Sequence, residues 1–157
     1  MFKRLFACLL LIVSTSVAQA DKPLIPAPPQ LAATAYLLID AHTGQILVEH
    51  DADKQIPPAS LTKMMTSYIV SEELEKGAIK EQDMVNISEK AWRKGGSKMF
   101  VKVGDKVPVI DLLRGVIVQS GNDASIALAE YVSGSEEVFA EVMNQQAQLL
   151  GMQDTHF

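Results

Sequence analysis

The chain has 157 residues, 48% of them hydrophobic, with 19 acidic against 14 basic side chains and a formal net charge of −5. That composition fits a globular protein, and the acidic balance argues against nucleic acid as a partner. A single cysteine, Cys8, excludes an internal disulfide framework.

Met1 to Ala20 carries Lys3 and Arg4, an apolar stretch from Leu5 to Val17 and the small-residue site Ala18-Gln19-Ala20. This pattern predicts a cleavable signal peptide, and the apolar run is too short for a transmembrane helix. Cleavage would remove Cys8 with both basic residues, leaving a chain of net charge −7 without thiol chemistry. Residues 21–34 then form a lead-in whose Pro23, Pro26, Pro28 and Pro29 favour an extended conformation.

Ala35 to Asp40 and Gln45 to His50 read as the strands of a β-hairpin closed by Ala41-His42-Thr43-Gly44. Asp51 and Asp53 read as a solvated turn, since no further carboxylates complete a calcium loop. An amphipathic helix is expected from Ser60 to Gly77, with Glu72 and Lys76 at i,i+4 spacing. Met84 to Ile87 and Met99 to Val103 are short strand candidates, flanking a basic cluster of Lys90, Arg93, Lys94 and Lys98 that reads as a solvated loop.

Three helical patterns follow, at Val109 to Val118, Asp123 to Val132 and Ser135 to Leu150, with Ser120-Gly121-Asn122 at the first junction. Met64, Met65, Met143 and Met152 read as core filling. His42, His50 and His156 lack metal-ligand spacing, and no phosphate-binding glycine loop is present, so neither metal nor cofactor is expected.

The chemistry concentrates at Ser60-Leu61-Thr62-Lys63. A serine hydroxyl needs an adjacent base to become a useful nucleophile, and i,i+3 spacing on a helix puts Ser60 and Lys63 on one face. Lysine serves as a base only when neutral, which requires burial or neighbouring cations to depress its pKa. A helix start at Ser60 would also direct backbone N–H groups and the positive end of the dipole toward a developing oxyanion.

Alone, an S-x-x-K match is weak, because on the order of half a match is expected by chance in a chain this long. Ser120-Gly121-Asn122 alone would read as an ordinary turn between helices. Their conjunction is informative, with Pro57-Pro58-Ala59 rigidly preceding Ser60 and the second motif set between helices that could project Ser120 and Asn122 toward the first.

Pro58-Ala59-Ser60-Leu61-Thr62-Lys63-Met64-Met65-Thr66, Leu113-Arg114-Gly115 and Gln119-Ser120-Gly121-Asn122-Asp123-Ala124 resemble the low-molecular-mass penicillin-binding proteins that are D-alanyl-D-alanine carboxypeptidases, of the penicillin-binding protein 5 type. Gly151 and Asp154-Thr155-His156-Phe157 extend the resemblance, which runs from about Ala35 onward. It implies a mixed α/β penicillin-recognising domain, an antiparallel sheet flanked by helices. It also implies Ser60 as nucleophile, Lys63 as general base, Ser120 as proton relay and Asn122 as a substrate-binding residue. Peptidoglycan stem peptides would be the substrates and β-lactams the inhibitors, in the periplasm at the inner membrane.

The family's third motif, Lys-Thr-Gly, does not occur up to Phe157. The expectation is therefore that residues 35–157 are the N-terminal part of the catalytic domain, incomplete, with exposed apolar surface, an open sheet edge and little or no hydrolysis on its own. Two alternatives stay open: a serine β-lactamase, which uses the same motif set, and a non-catalytic fragment or interaction domain.

Overall fold

The computed structural model describes residues 27–157, so the expected signal peptide and the first part of the lead-in lie outside the described residues. Residues 27–34 are exposed and carry no regular structure, as their prolines dictate. The chain divides into two compact units at the Gln55–Ile56 boundary.

The first unit holds the hairpin. Strands β1 (Tyr36–Ile39) and β2 (Ile46–His50) pair antiparallel, with Tyr36 opposite His50, Leu38 opposite Val48 and a register irregularity between Leu38 and Ile39. The turn is organised by Asp40, whose Oδ1 accepts from the backbone N–H groups of His42 (3.1 Å) and Thr43 (2.8 Å) and from Thr43 Oγ1 (2.8 Å). Those donors, the Thr43 N–H foremost, hold the Asp40 carboxyl below its ordinary pKa. At the open end the Tyr36 and His50 rings stack with centroids 5.4 Å apart. Asp51, next in the chain, is exposed and pairs with Lys54, consistent with the expected solvated turn.

The second unit begins with a 3₁₀ turn over Ala59–Leu61 that leads into helix α1 (Thr62–Glu75). Strand β3 (Met84–Asn86), a short helix α2 (Glu89–Arg93) and strand β4 (Lys106–Pro108) follow, then helices α3 (Val109–Gln119), α4 (Asn122–Ser133) and α5 (Glu136–Leu149). β3 and β4 form an antiparallel pair with Val85 opposite Val107. The secondary structure is mixed α/β, and among the described residues its strands form two separate two-stranded ladders.

Helix α4 is the hub. Asp123, Ala124, Ile126, Ala127, Leu128 and Ala129 are all buried, because α1, α2, α3 and α5 pack around it and its alanines permit close approach. One apolar cluster joins Val70, Val85, Ile87, Val109, Leu112, Val116 and Leu128, and a second joins Met65, Ile69, Ala129, Phe139, Met143 and Ala147. Burying side chains such as Leu112 and Leu128 stabilises the unit by about 1.5–3 kcal/mol each. Helix α5 is capped by Ser135, whose hydroxyl accepts from the Val138 N–H at 3.2 Å.

Two expectations need correction. Met99 to Val103 is not a strand, because the Asp123 carboxylate takes the N–H groups that a neighbouring strand would need, and Phe100 adopts φ 66°. The strand falls instead at β4. Met65 and Met143 fill the core, but Met64 is 70% exposed and Met152 38%. A residue's 100° advance around α1 turns Met64 away from the face that buries Met65, into an exposed apolar stripe with Leu61 and Tyr68.

Candidate active site

Pro58 and Ala59 set the approach to Ser60. Pro58 lies at φ −71°, Ala59 is forced to φ 49°, and the 3₁₀ turn then places exposed Ser60 two residues ahead of the first residue of α1. The helix starts at Thr62, two residues later than expected. The i,i+3 geometry is nevertheless retained: Lys63 Nζ donates to Ser60 Oγ at 3.4 Å.

The second motif comes from the α3–α4 junction. Helix α3 ends with Ser120 in the left-handed region at φ 52°, ψ 39°, and the Gly121 N–H closes onto Gly115 O at 3.0 Å. That reversal aims Ser120 Oγ at Ser60 Oγ, to which it donates at 3.0 Å. Asn122 opens α4, and its Oδ1 accepts from Lys63 Nζ at 2.6 Å. All four side chains singled out in the sequence therefore meet in one hydrogen-bonded constellation.

Lys63 is partly buried, and burial pushes its ammonium below the ordinary lysine pKa. The direction is the one a neutral amine base requires. A cavity of about 450 Å³ opens beside it, lined among others by Ala59, Thr62, Thr66, Asn122, Phe139 and His156. Three of the four described non-glycine residues with positive φ, namely Ala59, Phe100 and Ser120, lie in or next to this site. Such conformations cost about 1–3 kcal/mol each, and they persist where surrounding packing enforces them.

Asn122 is held on its other side by Gly95 and Ser97. Its Nδ2 donates to Gly95 O at 2.7 Å and its backbone N–H to Ser97 O at 2.7 Å. Between them Gly96 sits at φ +83°, and a Cβ there would approach Asn122 Nδ2 to 2.5 Å, so a side chain is excluded both by conformation and by space. These glycines and Asp123 were not singled out as site residues in the sequence. A Gly-Gly pair within the basic segment and an acid immediately after Ser-x-Asn were the available signals.

The basic cluster is not the solvated loop expected: Lys90 and Arg93 lie on α2, exposed Lys94 follows it, and half-buried Lys98 donates from Nζ to Trp92 O at 2.7 Å. Lys90 pairs with Glu136 (3.0 Å) and Glu137 (2.6 Å), Lys94 with Glu136 (3.3 Å), and Arg93 with Glu89 (2.6 Å). The Lys90 ammonium holds the Glu137 carboxyl down to about 2. Partial burial pushes Glu136 up, but Lys90 and Lys94 more than offset it and leave it below the ordinary value.

A family model for D-alanyl-D-alanine carboxypeptidase matches residues 22–157. The D-alanyl-D-alanine carboxypeptidase DacA of Escherichia coli is 45% identical over 152 residues, which cover 90% of this chain and 38% of that protein. DacC of the same organism is 49% identical over 135 residues, covering 82% of this chain and 34% of its own length. Among solved structures, the carboxypeptidase DacD from Francisella tularensis superposes with a TM-score of 0.80 at 48% identity, covering 92% of this chain and 35% of its own. Penicillin-binding protein 5 from Haemophilus influenzae does so with a TM-score of 0.78 at 48% identity, over 84% and 39% of the two chains. The chain thus spans well under half the length of these relatives, and over that span it belongs to the D-alanyl-D-alanine carboxypeptidase family of serine peptidases.

Proposed function

We propose that the protein is a serine D-alanyl-D-alanine carboxypeptidase that removes the terminal D-alanine from peptidoglycan stem peptides. The observation that carries this reading is the set of three hydrogen bonds joining Lys63 to Ser60, Lys63 to Asn122 and Ser120 to Ser60. With Lys63 neutral, the Ser60 hydroxyl proton passes to its amine as Oγ attacks the carbonyl between the two D-alanines. The peptide C–N bond breaks, and the departing amine takes a proton delivered through Ser120. Water then hydrolyses the ester and returns the proton to Ser60. Asn122 steadies Lys63 and offers its amide to the substrate's backbone.

On this reading residues 35–157 are the N-terminal part of the catalytic domain, Met1 to Ala20 is an export signal, and the enzyme works in the periplasm at the inner membrane. No helix among the described residues is long and apolar enough to cross a membrane. The substrate-facing contributions of a Lys-Thr-Gly strand are not supplied by residues 21–157. Loss of one oxyanion donor alone typically costs about 10²- to 10³-fold, so this segment by itself should hydrolyse little or no substrate.

A β-lactam presents a strained carbonyl to the same nucleophile, and its tethered leaving group slows deacylation. The test is to incubate the full-length protein with a labelled penicillin and locate the adduct by mass spectrometry. A stable adduct on Ser60, with D-alanine released from a stem peptide, supports the reading; an unmodified Ser60 overturns it. Rapid β-lactam turnover would instead favour the β-lactamase alternative.

A further inference from the structure

Asp123 is completely buried, and its described partners are all backbone N–H groups: Met99 (3.0 Å) and Ala124 (2.9 Å) on Oδ1, Phe100 (2.9 Å) and Val101 (3.4 Å) on Oδ2. Taking a carboxylate out of water is costly, and here four donors together with the first turn of α4 offset the cost. The Met99 to Val103 stretch, which reads as a strand, is thereby kept irregular, and its first three residues close a strap that runs from Gly95 to Val101. Two consecutive residues grip that strap at five points: Asn122 at Gly95 O and Ser97 O, Asp123 at the N–H groups of residues 99 to 101.

The grip bears on which way the Asn122 amide faces. While Lys63 is an ammonium, it can only donate, so it selects Oδ1 unaided. Once neutral, as a base must be, Lys63 has a lone pair that could accept from Nδ2 instead. An amide turned that way would occupy the electron pair that must take the Ser60 proton. Gly95 O, accepting from Nδ2 at 2.7 Å, keeps the amide in the productive sense, and Gly95 is held there by the strap.

We propose that Asp123 is a positioning residue for the acyl-transfer reaction: by pinning the Met99–Val101 strap it fixes Gly95 O, and through it the orientation of Asn122 that leaves the Lys63 lone pair free. This rests on the function proposed above. The experiment is penicillin acylation of Ser60 in the full-length protein, followed across pH for wild type, Asp123→Asn, Asn122→Ala and the double variant. Asp123→Asn, isosteric but presenting donors to donors, should lower the plateau rate about 10-fold or more and move the acidic limb to lower pH. In the Asn122→Ala background the same change should cost little and leave the limb in place, because the residue it acts through is gone.

Equal costs in both backgrounds, or an unmoved limb, would make Asp123 merely structural and overturn the proposal. Failure of wild type to label would instead remove the functional reading on which it stands. Should Asp123→Asn lack a cooperative thermal transition, Gly96→Ala presses on Asn122 Nδ2 from the same strap without altering the buried carboxylate. It must show the same non-additivity with Asn122→Ala, and additive costs would sink the idea.

Discussion

Lys63 Nζ and Asn122 Oδ1 lie 2.6 Å apart although 59 residues separate them in the chain. The contact links the start of α1 to the start of α4, so the proposed base is oriented by the most buried helix of the unit rather than by a loop.

Replacing Lys63 with alanine should therefore slow acylation of Ser60 by about 10²- to 10⁴-fold, the range for loss of a positioned base. In wild type the rate should climb with pH as Lys63 loses its proton. Because burial depresses its pKa, the midpoint should fall below the ordinary lysine value of about 10.4. Stopped-flow or quenched labelling with a chromogenic β-lactam measures both.

Ser120 donates to Ser60 Oγ at 3.0 Å and is the proposed carrier of the leaving-group proton. Ser120→Ala should reduce D-alanine release by about 10²-fold or more, while the thermal transition stays close to that of wild type. An unchanged rate of release from a stem peptide would remove Ser120 from the mechanism.

Core packing gives a prediction independent of chemistry. Leu112 has no exposed surface, and Leu112→Ala should lower unfolding free energy by about 2–5 kcal/mol in urea titrations. Gly115 should tolerate even a methyl group poorly, because a Cβ there would run into the Met99 side chain, and Gly115→Ala should cost about 1–3 kcal/mol by overpacking.

The α2–α5 ion cluster predicts a pH response. Glu137 has a folded-state pKa depressed from 4.5 to about 2, so its contribution is present above the unfolded value and disappears as pH falls through the folded one. Lys90 is raised, so its share is present below 10.5 and is lost above its folded value. Glu137→Gln should flatten the acid limb of a Tm-versus-pH curve between about pH 5 and 2. Both groups are exposed, so the effect should be small and shrink further in 1 M salt.

Much of this arrangement was legible in the chain. The helices at α3, α4 and α5 announced themselves by their apolar, helical patterns. Ser60 and Lys63 were readable because i,i+3 spacing is a local property of one helix. Asp123 and the strap were not, since their relation is a contact between distant segments that supplants a plausible strand. Met64 was misassigned for a related reason: hydrophobicity marks a residue as able to be buried, and the helix phase decides whether it is. The pairing of Lys90 and Lys94 with Glu136 and Glu137 was equally invisible, because those partners lie more than forty residues away in the chain.

Ser60 lies in the 3₁₀ turn before α1 and Ser120 at the α3–α4 junction, 60 positions apart, and neither segment can present both. Their meeting requires a long loop to close and the helices to dock, so it depends on non-local contacts and not on helix formation alone. A penicillin adduct on Ser60 would consequently count correctly folded molecules. Chains stalled with their helices formed but undocked would keep a serine of ordinary, sluggish reactivity, and a labelled antibiotic would pass them by.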